Sequence, residues 1–136
     1  MTCLEKCQPL WINKPAELLK LALVRSKFGE FIATHSLFRK RKLEISLMCL
    51  FSIIDAVLDQ PMEVAVVEIA LPIEIKKALV HKDGELSIIP WLITSYETCN
   101  WEKVQVISES IDMDPSILQK GYLDALVKAD EIMLLL

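Results

Sequence analysis

Apolar residues recur at helical spacing along most of the chain, and the longest apolar run lies between Leu43 and Leu58. This run places apolar side chains over most of the circumference of a helix, and Asp55 is one of the few charged residues that interrupt it. A helix that is apolar on nearly every side has to be surrounded by other parts of the protein. We therefore expect residues 43–58 to form one continuous helix at the centre of a helical bundle.

Further amphipathic segments before and after this run predict the rest of the bundle. Pro15 suits a first helical turn because it has no N–H to donate, and the helix that it begins is predicted to extend to about Thr34. Within that helix, Gly29 indicates close approach by another backbone, and Arg25 marks the side that faces water. Further helix starts are predicted at Pro61, Leu71–Pro72, Glu85, Asn100 and Asp114–Pro115.

These segments predict an all-α fold, a compact bundle of about seven helices. Residues 62–69 are β-branched enough to form a strand, but a lone strand would have no partner, so we favour a short helix there. A length of 136 residues suits one domain. We interpret residues 1–14, which show no sustained period, as an N-terminal arm or a remnant of preceding structure, and residues 15–136 as the helical domain.

Composition and charge indicate which partners the chain has. The net charge of −4 argues against a nucleic-acid partner, and we interpret the basic run Arg39–Lys42 as a solvated loop. The mean hydropathy of +0.38 is high for a free-standing domain, so some apolar surface should contact another protein, a neighbouring domain or a second copy in a homo-oligomer. The candidate interface residues are Leu10, Trp11, Ile12, Met133, Leu134, Leu135 and Leu136.

The location predicted from the sequence is the cytoplasm. The four cysteines have no disulfide-framework spacing, which favours a reducing compartment. The N-terminus carries no pattern of an export signal, and charged residues interrupt the longest apolar run too often for a membrane span. We therefore expect a protein that does not enter a membrane.

The sequence contains no recognisable combination of residues that would catalyse a reaction. The two histidines, His35 and His81, lack the spacing that directs two ligands at one metal ion, and Cys3 and Cys7 have no second pair to complete a zinc site. The glycines are isolated, so no phosphate-binding loop is predicted. Asp55 is expected to have a structural role. We expect no catalytic residue, no metal ligand and no cofactor.

Four segments give the chain a resemblance to a known family. They are LLKLALVRSKFGEFIA, LMCLFSIIDAVLDQPM, IALPIEIKKALV with the following DGEL, and YETCNWEKV before a DPSIL helix. In order and spacing they resemble the C-terminal part of the HDOD domain, the HD-related output domain, over about residues 15–130. The likeness is greatest to signalling proteins that carry an EAL domain, associated with cyclic di-GMP, ahead of HDOD. It implies an all-helical, HD-domain-like fold.

The resemblance also bears on activity, because HD phosphohydrolases hold a metal through an adjacent His-Asp pair. In register that pair falls near Ser52–Ile53, and no His-Asp dipeptide occurs in the sequence. The resemblance implies a non-enzymatic bacterial signal-transduction module that acts by helix packing against a neighbouring regulatory domain or a second copy, with a link to cyclic di-GMP through an EAL domain. The alternative is a degenerate HD-type phosphohydrolase that retains nucleotide or metal binding.

Overall fold

The computed structural model describes the backbone at residues 3–67 and 69–136, and the side chains at residues 16–67 and 69–136. The α-helices are α1 (Cys3–Thr34), α2 (Lys42–Leu50), α3 (Ile54–Leu58), α4 (Met62–Ala65), α5 (Ile73–His81), α6 (Ile88–Glu97), α7 (Trp101–Ser110) and α8 (Leu118–Leu135). Single 3-10 turns lie at Arg39–Arg41, Phe51–Ile53, Glu85–Ser87 and Pro115–Ile117.

The all-α prediction is confirmed, because none of the described residues lies in a strand. If α2 and α3 are counted as one interrupted segment, the described chain has the seven helical segments that the sequence predicts. The ambiguous region after Pro61 contains the short helix α4, with Pro61 at its N-cap. The apolar residues there thus contribute to a helical core.

Side-chain caps begin two of the helices as predicted. Asn100 Oδ1 accepts the backbone N–H of Lys103 at 3.4 Å at the start of α7. Asp114 Oδ1 accepts the N–H of Ser116 at 2.9 Å, and Pro115 is the first residue of the 3-10 turn that leads into α8. The backbone hydrogen bond from Ser116 lowers the pKa of the Asp114 carboxyl.

The predicted start of the first helix is wrong, since α1 begins at Cys3 and Pro15 lies within it. The interface candidates Leu10, Trp11 and Ile12 lie outside the residues whose side chains are described. The division of the chain at residue 14 stays a prediction.

Helix α1 is the element against which α2, α6 and α8 pack. Phe28 and Ile32 of α1 are completely buried. The Phe28 ring meets Tyr96 of α6 and Tyr122 of α8 in edge-to-face contacts, with ring centroids 5.3 and 5.2 Å apart. Such aromatic pairs favour one geometry, so Phe28 fixes how α6 and α8 sit on α1.

Two glycines allow α1 to approach its neighbours closely. A Cβ atom added to Gly29 would lie 2.6 Å from Cys49 Sγ of α2, and one added to Gly121 of α8 would collide with the ring of Phe31. Gly29 is thus a point of close contact, but the contact is with side chains of α2 and not with another backbone as the sequence predicted. Gly121 provides the same close contact between α8 and α1.

The prediction of one continuous, enclosed helix over residues 43–58 is wrong. The 3-10 turn separates α2 from α3, and the Ser52 hydroxyl in that turn donates to the Cys49 carbonyl at 2.7 Å, a bond that competes with the helical ladder. One side of the segment is also exposed, with Leu43 at 74% and Val57 at 50%. Only one face of this segment is therefore part of the core.

Helix α6 is more enclosed than the predicted central helix. Ile89 and Leu92 of α6 are completely buried, as is Leu86 in the turn that leads into it. Pro90 is the third residue of α6, so it lies in the first turn, where a missing N–H costs little. The α-helix thus begins at Ile88, after a 3-10 turn at the start predicted for Glu85.

We predict that Gly29→Ala destabilises the protein by about 1–2 kcal/mol. Overpacking a core costs about 1–3 kcal/mol, which exceeds the gain of about 1 kcal/mol in helix propensity from Gly to Ala. In a Cys49→Ala background, the sulfur that meets the new methyl group is gone, so the same substitution should cost close to nothing. Urea unfolding of the four proteins measures both values, and equal costs in the two backgrounds would contradict the assigned contact.

Candidate functional site: the inter-helical cleft

A cleft of about 560 Å³ opens between residues of α1 through α7, and we call it the inter-helical cleft. Its wall includes four charged residues, Arg25, Asp55, Lys82 and Lys103, four hydroxyl residues, Ser52, Ser87, Thr94 and Ser95, and the ring of Trp91. Apolar residues such as Met62 and Ile93 complete it. The volume is in the range of small-molecule sites.

An ion pair supports one side of the cleft. Arg25 of α1 donates to Glu97 of α6 through two bonds, Nε to Oε2 at 3.1 Å and Nη2 to Oε1 at 2.8 Å. The two side chains are only 19% and 18% exposed, so the pair is largely removed from water. The expectation that Arg25 faces water is therefore wrong, because its charge is needed to neutralise Glu97 between the helices.

The same guanidinium reaches the interruption between α2 and α3. Arg25 Nη1 donates to Ser52 Oγ at 3.4 Å, while that hydroxyl donates to the Cys49 carbonyl. The position where the resemblance places the metal-binding pair is thus occupied by a serine hydroxyl and the buried Ile53. Neither side chain is a metal ligand of the HD type.

The remaining groups of the cleft do not assemble a metal site. Burial raises the pKa of the Cys49 thiol to about 12, so the free thiol is protonated at neutral pH. Asp55 is partly exposed in the first turn of α3. Among the residues that the structure describes, no group of three or more His, Cys, Asp or Glu side chains could hold a metal ion.

The two histidines that the sequence singled out take no part in the cleft. His35 Nδ1 lies 2.9 Å from the Phe31 carbonyl, and its ring packs on the Phe31 ring with centroids 4.3 Å apart. His81 is exposed at the end of α5. His35 thus has a local structural role at the end of α1.

Acidic residues of the same domain bind part of the basic run Arg39–Lys42. Arg41 Nη2 lies 2.7 Å from Glu44 and 2.6 Å from Glu74, and Arg39 Nε donates to the Thr34 carbonyl. The hydrogen bonds that Arg41 donates to Glu74 and Glu44 raise the pKa of its guanidinium, and the bond from Arg41 lowers the pKa of the Glu74 carboxyl. This pairing leaves fewer cationic side chains of the run free to bind the phosphates of a nucleic acid. The absence of a nucleic-acid partner stays a prediction.

A second depression, which the sequence analysis missed, lies between α1 and the segment from α2 to α3. We call it the apolar groove; it has a volume of about 300 Å³ and is lined by Leu18, Leu19, Ala22, Leu50, Phe51, Ile53, Ile54 and Val57. Its lining contains no charged residue. The groove borders the break between α2 and α3, whose position periodicity alone does not reveal.

The C-terminal interface candidates are exposed in the structure. Leu134, Leu135 and Leu136 are 86%, 85% and 80% exposed, while Met133 is partly buried. An ion pair between Lys20 and Asp130 at 2.8 Å places the end of α8 beside the part of α1 that lines the groove. Whether these residues contact a partner stays a prediction.

In the described part of the chain, no helix combines the length and the apolar character required to cross a membrane.

Comparison with known proteins finds two relatives. The cyclic di-GMP phosphodiesterase CdgJ of Vibrio cholerae serotype O1 is 33% identical over 93 residues, which are 68% of this chain and 22% of that protein. The uncharacterized protein YuxH of Bacillus subtilis strain 168 is 27% identical over 110 residues, 81% of this chain and 26% of that protein. The chain is related to part of each. It spans about a quarter of the length of these relatives.

No family model matches the chain, and no solved structure matches it.

We predict that removing one partner of the Arg25–Glu97 pair destabilises the protein more than removing both. Glu97→Gln leaves the guanidinium largely buried without its counter-charge and should cost about 2–4 kcal/mol. The double variant Arg25→Met with Glu97→Met replaces the pair by apolar groups of similar length and should cost less than either single change. Urea unfolding of the set measures this, and additive losses would contradict direct coupling.

Proposed function

We propose that the chain is an HDOD-related regulatory module of bacterial cytoplasmic signalling, without catalytic activity of its own. The order of its segments, its all-α fold and its relation to part of a cyclic di-GMP phosphodiesterase support this proposal. The main support for this proposal is the set of side chains that line the inter-helical cleft. Ser52, near which the resemblance to HD hydrolases places a metal-binding pair, accepts a hydrogen bond from Arg25 of the Arg25–Glu97 ion pair.

We further propose that the module acts through helix packing with a second copy of itself. The apolar groove offers uncharged surface from α1, α2 and α3, and the exposed leucines of α8 lie at the same end of α1. In a two-fold symmetric dimer both copies contribute the same patch, so the apolar groove of each copy is covered by the other copy. Such a dimer would explain the high mean hydropathy of the chain.

We expect the purified chain to be a dimer at micromolar concentrations, and Val57→Glu to weaken the dimer at least about tenfold. Val57 lines the groove and is 50% exposed, so a carboxylate there costs little in the monomer but is desolvated in a dimer. Size-exclusion chromatography with light scattering measures the state of each protein.

The matched control is Val106→Glu, because Val106 of α7 is 66% exposed and does not line the groove. It should leave the dimer intact. A folded wild-type monomer at all micromolar concentrations, or equal effects of both variants, would reject the groove as the dimer interface.

We expect the protein to bind no metal in stoichiometric amount and to hydrolyse no cyclic di-GMP. The cleft provides one carboxylate, a protonated thiol and no histidine, which is too few ligands for a hydrolytic metal site. Elemental analysis after dialysis, followed by an assay with added Mn²⁺, tests this expectation. One bound metal per chain, or metal-dependent hydrolysis, would instead favour a degenerate HD-type phosphohydrolase.

A further inference from the structure

We propose that the inter-helical cleft binds a small organic anion with a planar apolar body, so that the module senses a metabolite. This inference goes beyond the proposed function, since ligand binding in the cleft requires no second copy. The apolar groove is not needed for it either. It rests on the charge, the free hydrogen-bonding groups and the aromatic wall of the cleft.

The charge of the cleft favours an anion. Its wall carries three cationic side chains and one carboxylate, in a protein whose net charge is −4. Glu97 already neutralises Arg25, but Lys82 and Lys103 form no ion pair with any carboxylate in the described part of the chain. Two free ammonium groups on one concave surface focus positive potential there.

The position of Lys103 on its helix adds to this potential. Lys103 lies in the first turn of α7, next to the positive end of the helix dipole, where a cation gains no stabilisation from the helix itself. Lys82 follows the C-terminal end of α5 in the left-handed conformation, with φ of 53°, and also lines the cleft. An anion between these groups would relieve the repulsion at Lys103 and gain charge-assisted hydrogen bonds.

The hydroxyl of Ser95 is a further polar group of the cleft. Ser95 lines the cleft, and its hydroxyl forms no hydrogen bond with any described residue. Its backbone carbonyl, by contrast, accepts from Thr98 and Asn100. The hydroxyl can therefore donate to a ligand oxygen in the cleft.

The aromatic wall explains why the ligand should have a planar body. Trp91 of α6 lines the cleft with 54% of its surface exposed. Covering a water-exposed indole ring with a flat apolar group removes apolar surface from water and is therefore favourable. The cleft therefore combines one flat apolar surface with cationic groups and a free donor, which together match an aromatic phosphate or carboxylate.

Phenyl phosphate is the probe that carries both features, while inorganic phosphate lacks the ring and benzyl alcohol lacks the charge. Titrations of isotope-labelled full chain, followed by NMR at the Trp91 indole and the Ser95 and Lys103 amides, measure the dissociation constant of each probe. We expect phenyl phosphate to bind at least about tenfold more tightly than either of the other two probes.

The double variant Lys82→Gln with Lys103→Gln should weaken phenyl phosphate binding about tenfold or more. The matched control is Lys128→Gln, because Lys128 of α8 is exposed and does not line the cleft. Ser95→Ala tests the hydroxyl separately, and thermal unfolding without ligand confirms that each variant is folded.

Three outcomes would overturn the proposal: no saturable shift at these three positions, tighter binding of benzyl alcohol than of phenyl phosphate, or equal losses in the cleft and control variants. The oligomeric state of each variant is recorded in the same samples. A monomer that still binds phenyl phosphate would reject the proposed dimer and leave this inference standing.

Discussion

The close packing of α1 against α2, α6 and α8 is the constraint on which the rest of the structure depends. Gly29 and Gly121 remove the side chains that would keep α2 and α8 at a distance, and Phe28 fills the space between α1, α6 and α8. Small residues at these two contacts therefore allow the large aromatic side chains to meet edge to face. The position of α6 follows from this contact, and with it one wall of the inter-helical cleft.

The break between α2 and α3 links the two surfaces of functional interest. Ser52 faces the cleft and receives a hydrogen bond from Arg25, while Ile53 and Val57 line the apolar groove. The two surfaces therefore share one turn of backbone. If the cleft binds a ligand as proposed, this shared turn is where the ligand would affect packing at the groove.

The cleft itself differs from a hydrolytic centre in how its charges are used. Glu97 binds Arg25 in a bidentate pair, so neither group is free to act on a substrate. The thiol of Cys49 stays protonated because it is buried. The groups left free, Lys82, Lys103 and Ser95, are suited to hold a ligand, and they include no base or nucleophile that another residue activates.

The sequence by itself determined the all-α class, most helix boundaries and the caps at Asn100 and Asp114, because these depend on residues within one or two turns of each other. It also indicated the close contact at Gly29. Only the tertiary structure decided which helices are enclosed, that Arg25 pairs with Glu97 across 72 residues, and that residues 43–58 are broken and partly exposed. Helical periodicity identifies an apolar face but not its neighbour, so contacts between distant residues, and the cleft and groove that they form, appear only when the helices pack.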